Sequence, residues 1–222
     1  MLYLFLFLLY ATIPPITLYF CLRLIYQKND RYGWHLHYFT KYAISLSFLP
    51  LLYFPNVELA LVPKSPLSLL FLAITFLLAL LGIKPAIKNK VLYFYFGGVH
   101  AAFMEEILFR GILFGLAQAA WSNTILSVAT TSIAFGFWHL KNYAWHSDKK
   151  WVITSFLMTS LIYGPLFCGL RLLTGDIYLA SLWHFITDAY VALASKSMRW
   201  TIIGDRNKGV GYRDNYLNPI KA

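Results

Sequence analysis

Apolar residues in this chain come in long stretches, and most of the Lys and Arg residues sit in the short connections between them, near their ends or in the tail. Spanning a bilayer takes about 20 predominantly apolar residues, and seven stretches of roughly that kind can be cut. They run from Leu2 to Tyr26, Phe39 to Leu61, Pro66 to Ile83, Val91 to Ala120, Asn123 to Trp145, Trp151 to Leu173 and Ile177 to Ala194. Each predicts a helix, because in lipid a helix satisfies its backbone N–H and C=O groups internally. Pro14 and Pro15 predict a kink in the first. Pro50 and Pro55 predict that the second is broken or re-entrant. A polar tail follows, with room for an eighth short helix near Met198 to Ile203. No basic stretch precedes the first segment and no small-x-small cleavage site follows it, so it is expected to stay as an anchor.

Composition sharpens this into a class. The 222 residues are 59% hydrophobic, 18% aromatic and 13% charged, against about 25% charged in an average soluble domain. The expected fold is all-α: a polytopic transmembrane bundle of about seven helices with a polar site inside it. Residues 1–203 form a single integral membrane domain, 91–194 being its motif-bearing core, and 204–222 a polar cytoplasmic tail. No internal repeat or soluble second domain is visible.

A net charge of +10 would suit nucleic acid, but these cations flank apolar segments, where their partner is anionic lipid headgroup. Loops on the cytoplasmic side carry the excess of Lys and Arg. With the N-terminus outside, that side collects Arg23, Lys28, Arg31 and Lys41; Lys84, Lys88 and Lys90; Lys141, Lys149 and Lys150; and the tail cations. Only Lys64 and Arg171 fall outside and Arg110 within a span. So short a chain, with no recognisable targeting or retention signal, suits a prokaryotic cytoplasmic membrane. Cys21 and Cys168 lie in separate stretches without Cys-x-x-Cys spacing and are expected to face lipid or pack.

Against this background, ionisable groups inside spans stand out, since each costs about 2.5–3.5 kcal/mol at a helix centre on insertion scales. Glu105-Glu106-x-x-x-Arg110 sets two of the chain's three Glu residues side by side. Glu106 and Arg110, four apart, face the same way and predict an ion pair. Glu105 is turned about 100° from its neighbour, escapes the Arg and, buried without an adjacent cation, is left for general acid or base work; the bland reading is that both carboxylates brace the bundle. His139 closes the run Phe135-Gly136-Phe137-Trp138, where an imidazole either packs or orients a water. His184 and Asp188 share a helical face and either bond each other or point jointly at a substrate carbonyl.

In this order on successive helices, Glu105-Glu106-x-x-x-Arg110, Phe135-x-x-x-His139 and His184-x-x-x-Asp188 resemble the three signature motifs of the CPBP family. These are the CAAX-protease and bacteriocin-processing, or Abi, proteins, and include the type II CAAX prenyl endopeptidases. The resemblance implies a glutamate-dependent intramembrane endopeptidase acting on a membrane-associated protein or peptide. In it Glu105 is the catalytic carboxylate, His139 orients the water, Glu106, Arg110 and Phe135 support, and His184 with the residue four later stabilises the oxyanion. Asp188 stands where the prenyl endopeptidases carry Asn. An ionised Asp cannot donate a hydrogen bond, so it either holds a proton or serves His184.

Other protease chemistries leave no trace. There is no His-Glu-x-x-His, Gly175-Asp176 lacks the Gly-x-Gly-Asp context of an aspartyl site, and no span holds Gly-x-Ser-x. No cofactor is expected; zinc on the two His and the carboxylates is the alternative mechanism, and a non-catalytic immunity or scaffolding protein the alternative function. Gly111-x-x-x-Gly115 and Gly97-Gly98 are expected to let helices approach closely. His100 is expected to be a bundle residue, His35, His37 and His146 solvated, and Trp34, Trp145, Trp151 and Trp200 interfacial.

Overall fold

A computed structural model describes residues 1–28, 31–88, 92–144 and 149–190. The tail with its cations, the Met198 to Ile203 segment, Trp145 and His146 lie outside them. The described residues form seven helices. The first three are α1 (Leu2–Lys28), α2 (Arg31–Leu46) and α3 (Pro66–Lys88). A continuous rod, α4, runs through Leu92–Glu106, the wide π turns Ile107–Leu113 and Phe114–Trp121. Next comes α5 (Thr124–His139), prolonged by the 3₁₀ turn Leu140–Ala144. Helix α6 passes through Lys149–Met158, π turns at Thr159–Tyr163 and Gly164–Thr174, and α7 through Tyr178–Phe185 and π turns at Ile186–Tyr190.

Local chemistry sets the corners. Asn123 caps α5 by accepting a bond from the Leu126 N–H at 3.0 Å. Between α6 and α7, Gly175 takes φ +78°, open to it without a Cβ clash. Beside it the buried Asp176 accepts from the backbone N–H groups of Tyr178 and Lys64, which accounts for this Asp as a structural cap.

Three helices, Leu2–Ile25, Pro66–Lys88 and Lys149–Thr174, are long and apolar enough to cross a membrane. Leu69, Leu70, Phe76, Leu77, Leu80, Leu161 and Ile162 point outward. Glu105, Glu106, Arg110 and His184 are buried instead. Apolar groups outside and charges inside suit a lipid solvent, and the chain is an all-helical membrane protein.

The second apolar stretch is broken, as its prolines predict. Helix α2 stops at Leu46, a 3₁₀ turn covers Leu49–Tyr53, and the chain then runs without regular structure to α3. Pro14 and Pro15 lie inside the single helix α1.

The non-helical run lies in a groove that small residues open on α4. A Cβ on Gly115 would come within 2.7 Å of the Glu58 carbonyl oxygen, and one on Gly111 within 3.0 Å of that of Leu59. The Gly111-x-x-x-Gly115 pair thus admits extended chain rather than the helix expected there. Arg171 donates to the Glu58 carbonyl at 2.8 Å and Tyr178 to that of Leu61 at 2.6 Å, which satisfies this non-helical backbone. Gly98 does serve helix packing, since its Cβ would meet the Ala189 Cα at 2.9 Å, whereas nothing approaches Gly97.

His37 corrects the expectation that it is solvated. It is only 6% exposed, because Gly33, His37, Thr40 and Ile44 form the buried stripe of α2, and Thr40 and Gly33 face Cys21 and Ile25 of α1. His35, off that stripe, is exposed. Both cysteines are buried and free, so they pack rather than face lipid.

Candidate active site

Helices α4, α5, α6 and α7 bring the polar groups of the three motifs together. Glu106 and Arg110 form the expected pair, with Nη1 of Arg110 3.2 Å from Oε1 of Glu106 and both side chains wholly buried. The guanidinium faces the rings of Phe135 at 4.3 Å and Phe167 at 4.9 Å, where ring quadrupoles attract a cation that has lost its water. Its Nη2 lies 3.4 Å from the carbonyl oxygens of Tyr163 and Gly164. Those carbonyls are where α6 widens into π turns, just before Pro165. Pro165 lacks the N–H that a regular helix would aim at the Leu161 carbonyl, and the helix is widened over that turn.

His184 is buried and reaches three carboxylates. Its Nδ1 lies 2.7 Å from Oε1 of Glu106, and its Nε2 3.6 Å from Oε2 of Glu105 and 3.5 Å from Oδ2 of Asp188. Its ring stacks on Phe167 with centroids 5.3 Å apart. Asp188 turns toward His184 on its own helix.

Glu105 is 7% exposed. Its isolation from any potential cation is not found: Nε2 of His184 faces one oxygen, and the Trp138 indole Nε1–H donates to the other, Oε1, at 2.7 Å. The inter-helix approach of His184 could not be read from spacing within α4. Lys41 and Lys141, assigned by sequence to the cytoplasmic side, also lie within charge reach of Glu105.

Trp138 escaped the sequence reading as a site residue. The available signal was a Trp one position before His139, since a buried indole N–H requires an acceptor. Lys141 sits over its ring with Nζ 3.9 Å from a centroid, and donates to the Trp138 carbonyl at 3.2 Å.

His139 lies at the end of α5 with its ring edge-on to Phe135, centroids 5.0 Å apart. Its Nδ1 is 2.9 Å from the Phe135 carbonyl oxygen. A carbonyl only accepts, so Nδ1 carries the proton and a neutral ring keeps its lone pair at Nε2. Phe135 thus touches Arg110, His139 and His184 at once, the last at 6.0 Å between centroids. His100 is half-buried, edge-on to Tyr42. Among the described residues no group of three or more His, Cys, Asp or Glu side chains has an arrangement suited to a metal ion.

Chemically, Glu105 offers a carboxylate oxygen beside Nε2 of His184, and His139 offers an imidazole lone pair at the end of α5. Residues 87–190, a little under half of the chain, match the family described as type II CAAX prenyl endopeptidase Rce1-like. No curated protein and no solved structure matches the chain.

Proposed function

We propose, for a chain whose residues 87–190 match the Rce1-like family of type II CAAX prenyl endopeptidases, that Glu105 activates the water that cleaves the substrate. The family makes a CAAX-type intramembrane endopeptidase the general activity. The substrate is a membrane-associated protein or peptide. What carries the reading is Glu105 itself, a buried carboxylate inside the bundle with Oε2 3.6 Å from Nε2 of His184.

In the proposed reaction Oε2 of Glu105 takes a proton from water as the water oxygen bonds to the peptide carbonyl carbon. Nε2 of His139 accepts the second hydrogen of that water and fixes its direction. Nδ1 of His184 donates to the Glu106 carboxylate, and Nε2 faces two further carboxylates, so both nitrogens carry protons. The Nε2–H then donates to the oxyanion that develops, the interaction worth most in the transition state. When the carbon–nitrogen bond breaks, the proton held by Glu105 passes to the leaving amine, giving a carboxylic acid and an amine; the acid's remaining proton then passes by way of Nε2 of His139 to the amine, leaving a carboxylate and an ammonium.

Glu106 and Arg110 position His184, and Asp188 orients it rather than acting as an oxyanion donor. Site chemistry is proposed to need no metal. Arg23, Lys41, Lys84 and Lys141, with the other cations of their connections, support a cytoplasmic side for the tail in a prokaryotic membrane.

The test is cleavage of a farnesylated peptide ending in Cys-aliphatic-aliphatic-x, presented in lipid vesicles with the purified protein, with new termini mapped by mass. Wild type is expected to cut it and to keep its rate in chelator. Glu105→Gln is expected to slow the cut by about 10²–10⁴-fold while its thermal unfolding stays in place. A Glu105→Gln protein as active as wild type would overturn the reading in favour of a site that only binds.

A further inference from the structure

We infer that Trp138 is the positioning residue for Glu105, fixing one carboxylate oxygen so that the other is presented to the water and to His184. The inference rests on the proposed role of Glu105. Its basis is geometric. The indole Nε1–H meets Oε1 of Glu105 at 2.7 Å, while Oε2 points to Nε2 of His184 at 3.6 Å. One oxygen is held and its twin is left for chemistry.

A carboxylate on a Glu side chain has three torsions to settle, and within an enclosed site a small rotation moves the basic lone pair off line. An indole is well suited to prevent it. It donates and cannot accept, so it never competes for the proton that Glu105 removes from water. It is also rigid, and Trp138 is only 1% exposed. Phe109 packs edge-on to it at 5.7 Å.

Lys141 completes the clamp from the other side. Its ammonium lies 3.9 Å from a Trp138 ring centroid and donates to the Trp138 carbonyl at 3.2 Å. A cation on the face of an indole draws electron density from the ring and so strengthens the N–H as a donor. The chain Lys141, Trp138, Glu105 thus passes positive polarisation to one carboxylate oxygen through a donor, the indole, that keeps its own proton.

The variant that tests this replaces Trp138 by 3-benzothienylalanine, which keeps the fused ring and lacks only the N–H, alongside Trp138→Phe. With the farnesylated peptide in vesicles, kcat is expected to fall by about ten- to a hundredfold, the size of a hydrogen bond to a charged group. KM and thermal unfolding are expected to hold for the benzothienyl protein. Lys141→Met should lower kcat in the same sense by a smaller factor. In protein labelled with ¹⁵N-Trp, the Trp138 Nε1–H resonance should move in Glu105→Gln. A benzothienyl variant with wild-type kcat, or one that raises KM at constant kcat, overturns the inference. If that result accompanies an inactive Glu105→Gln, the proposed function stands; an active Glu105→Gln overturns both.

Discussion

Glu106 on α4 and His184 on α7, 78 positions apart in the chain, meet at 2.7 Å between Oε1 and Nδ1. The same oxygen accepts from Arg110 at 3.2 Å, so one carboxylate joins the first and third motifs. Such a shared acceptor lets three buried ionisable groups offset one another's charge, although Oε2 of Glu106 and Nε of Arg110 have no hydrogen-bond partner among the described residues. It also makes each dependent on the others.

Removing the cation alone should therefore be costly. Arg110→Met leaves Glu106 buried with His184 as its remaining charged partner, and breaking a buried pair from one side costs about 3–5 kcal/mol. A clear drop in the thermal midpoint of the detergent-solubilised protein is expected. The double variant Glu106→Leu/Arg110→Met should recover part of it. A single variant as stable as wild type would show that the pair does not hold the bundle.

His139 should behave in the opposite way. It is partly exposed at the end of α5 and bonds only locally to Phe135, so His139→Ala should unfold close to wild type. Its rate on the vesicle-bound peptide should fall by about 10²–10⁴-fold. Loss of stability with the rate preserved would make it a packing histidine.

Asp188→Asn separates orientation from donation. If Asp188 acts as an acceptor toward His184, the Asn carbonyl can replace it, and the rate should stay within about tenfold, a difference of roughly 1.4 kcal/mol. Asp188→Leu removes the acceptor and should lose more. Equal rates for the Asn and Leu variants would leave Asp188 without a part in the site.

Gly115→Ala tests the seat of the extended segment. The new methyl would sit 2.7 Å from the Glu58 carbonyl oxygen and 3.3 Å from Cγ1 of Val57. Overpacking of this kind costs about 1–3 kcal/mol. Limited proteolysis between residues 54 and 65 should speed up, and cleavage at the wild-type rate would mean the groove widens freely.

Much of this was legible because it depends on neighbours in sequence. Long apolar stretches fix where helices run, since in lipid a helix is the one way a single stretch can satisfy its own backbone. The four-residue spacing of Glu106 and Arg110, and of His184 and Asp188, fixes which side chains share a face. The break at Pro50 and Pro55 follows from a missing N–H.

His37 was misread because its neighbours in sequence are basic, while its burial depends on which stripe of α2 meets α1. Gly111 and Gly115 announced a close approach, but not that the visitor would be the non-helical run near Glu58. The partner of Trp138 in its own helix, Lys141, gave no sign of the bond to Glu105, 33 residues away.

By itself the sequence determined an all-helical membrane protein, the pairs within each helix and the residues too polar for lipid. Only the tertiary structure decided that His184 would bridge Glu105 and Glu106, and that Trp138 would hold the first of them. The reason is geometric. A helix repeats the same rotation at every residue and so sets its own spacings, whereas the rotation and depth of one helix against another are set by how all the side chains between them pack.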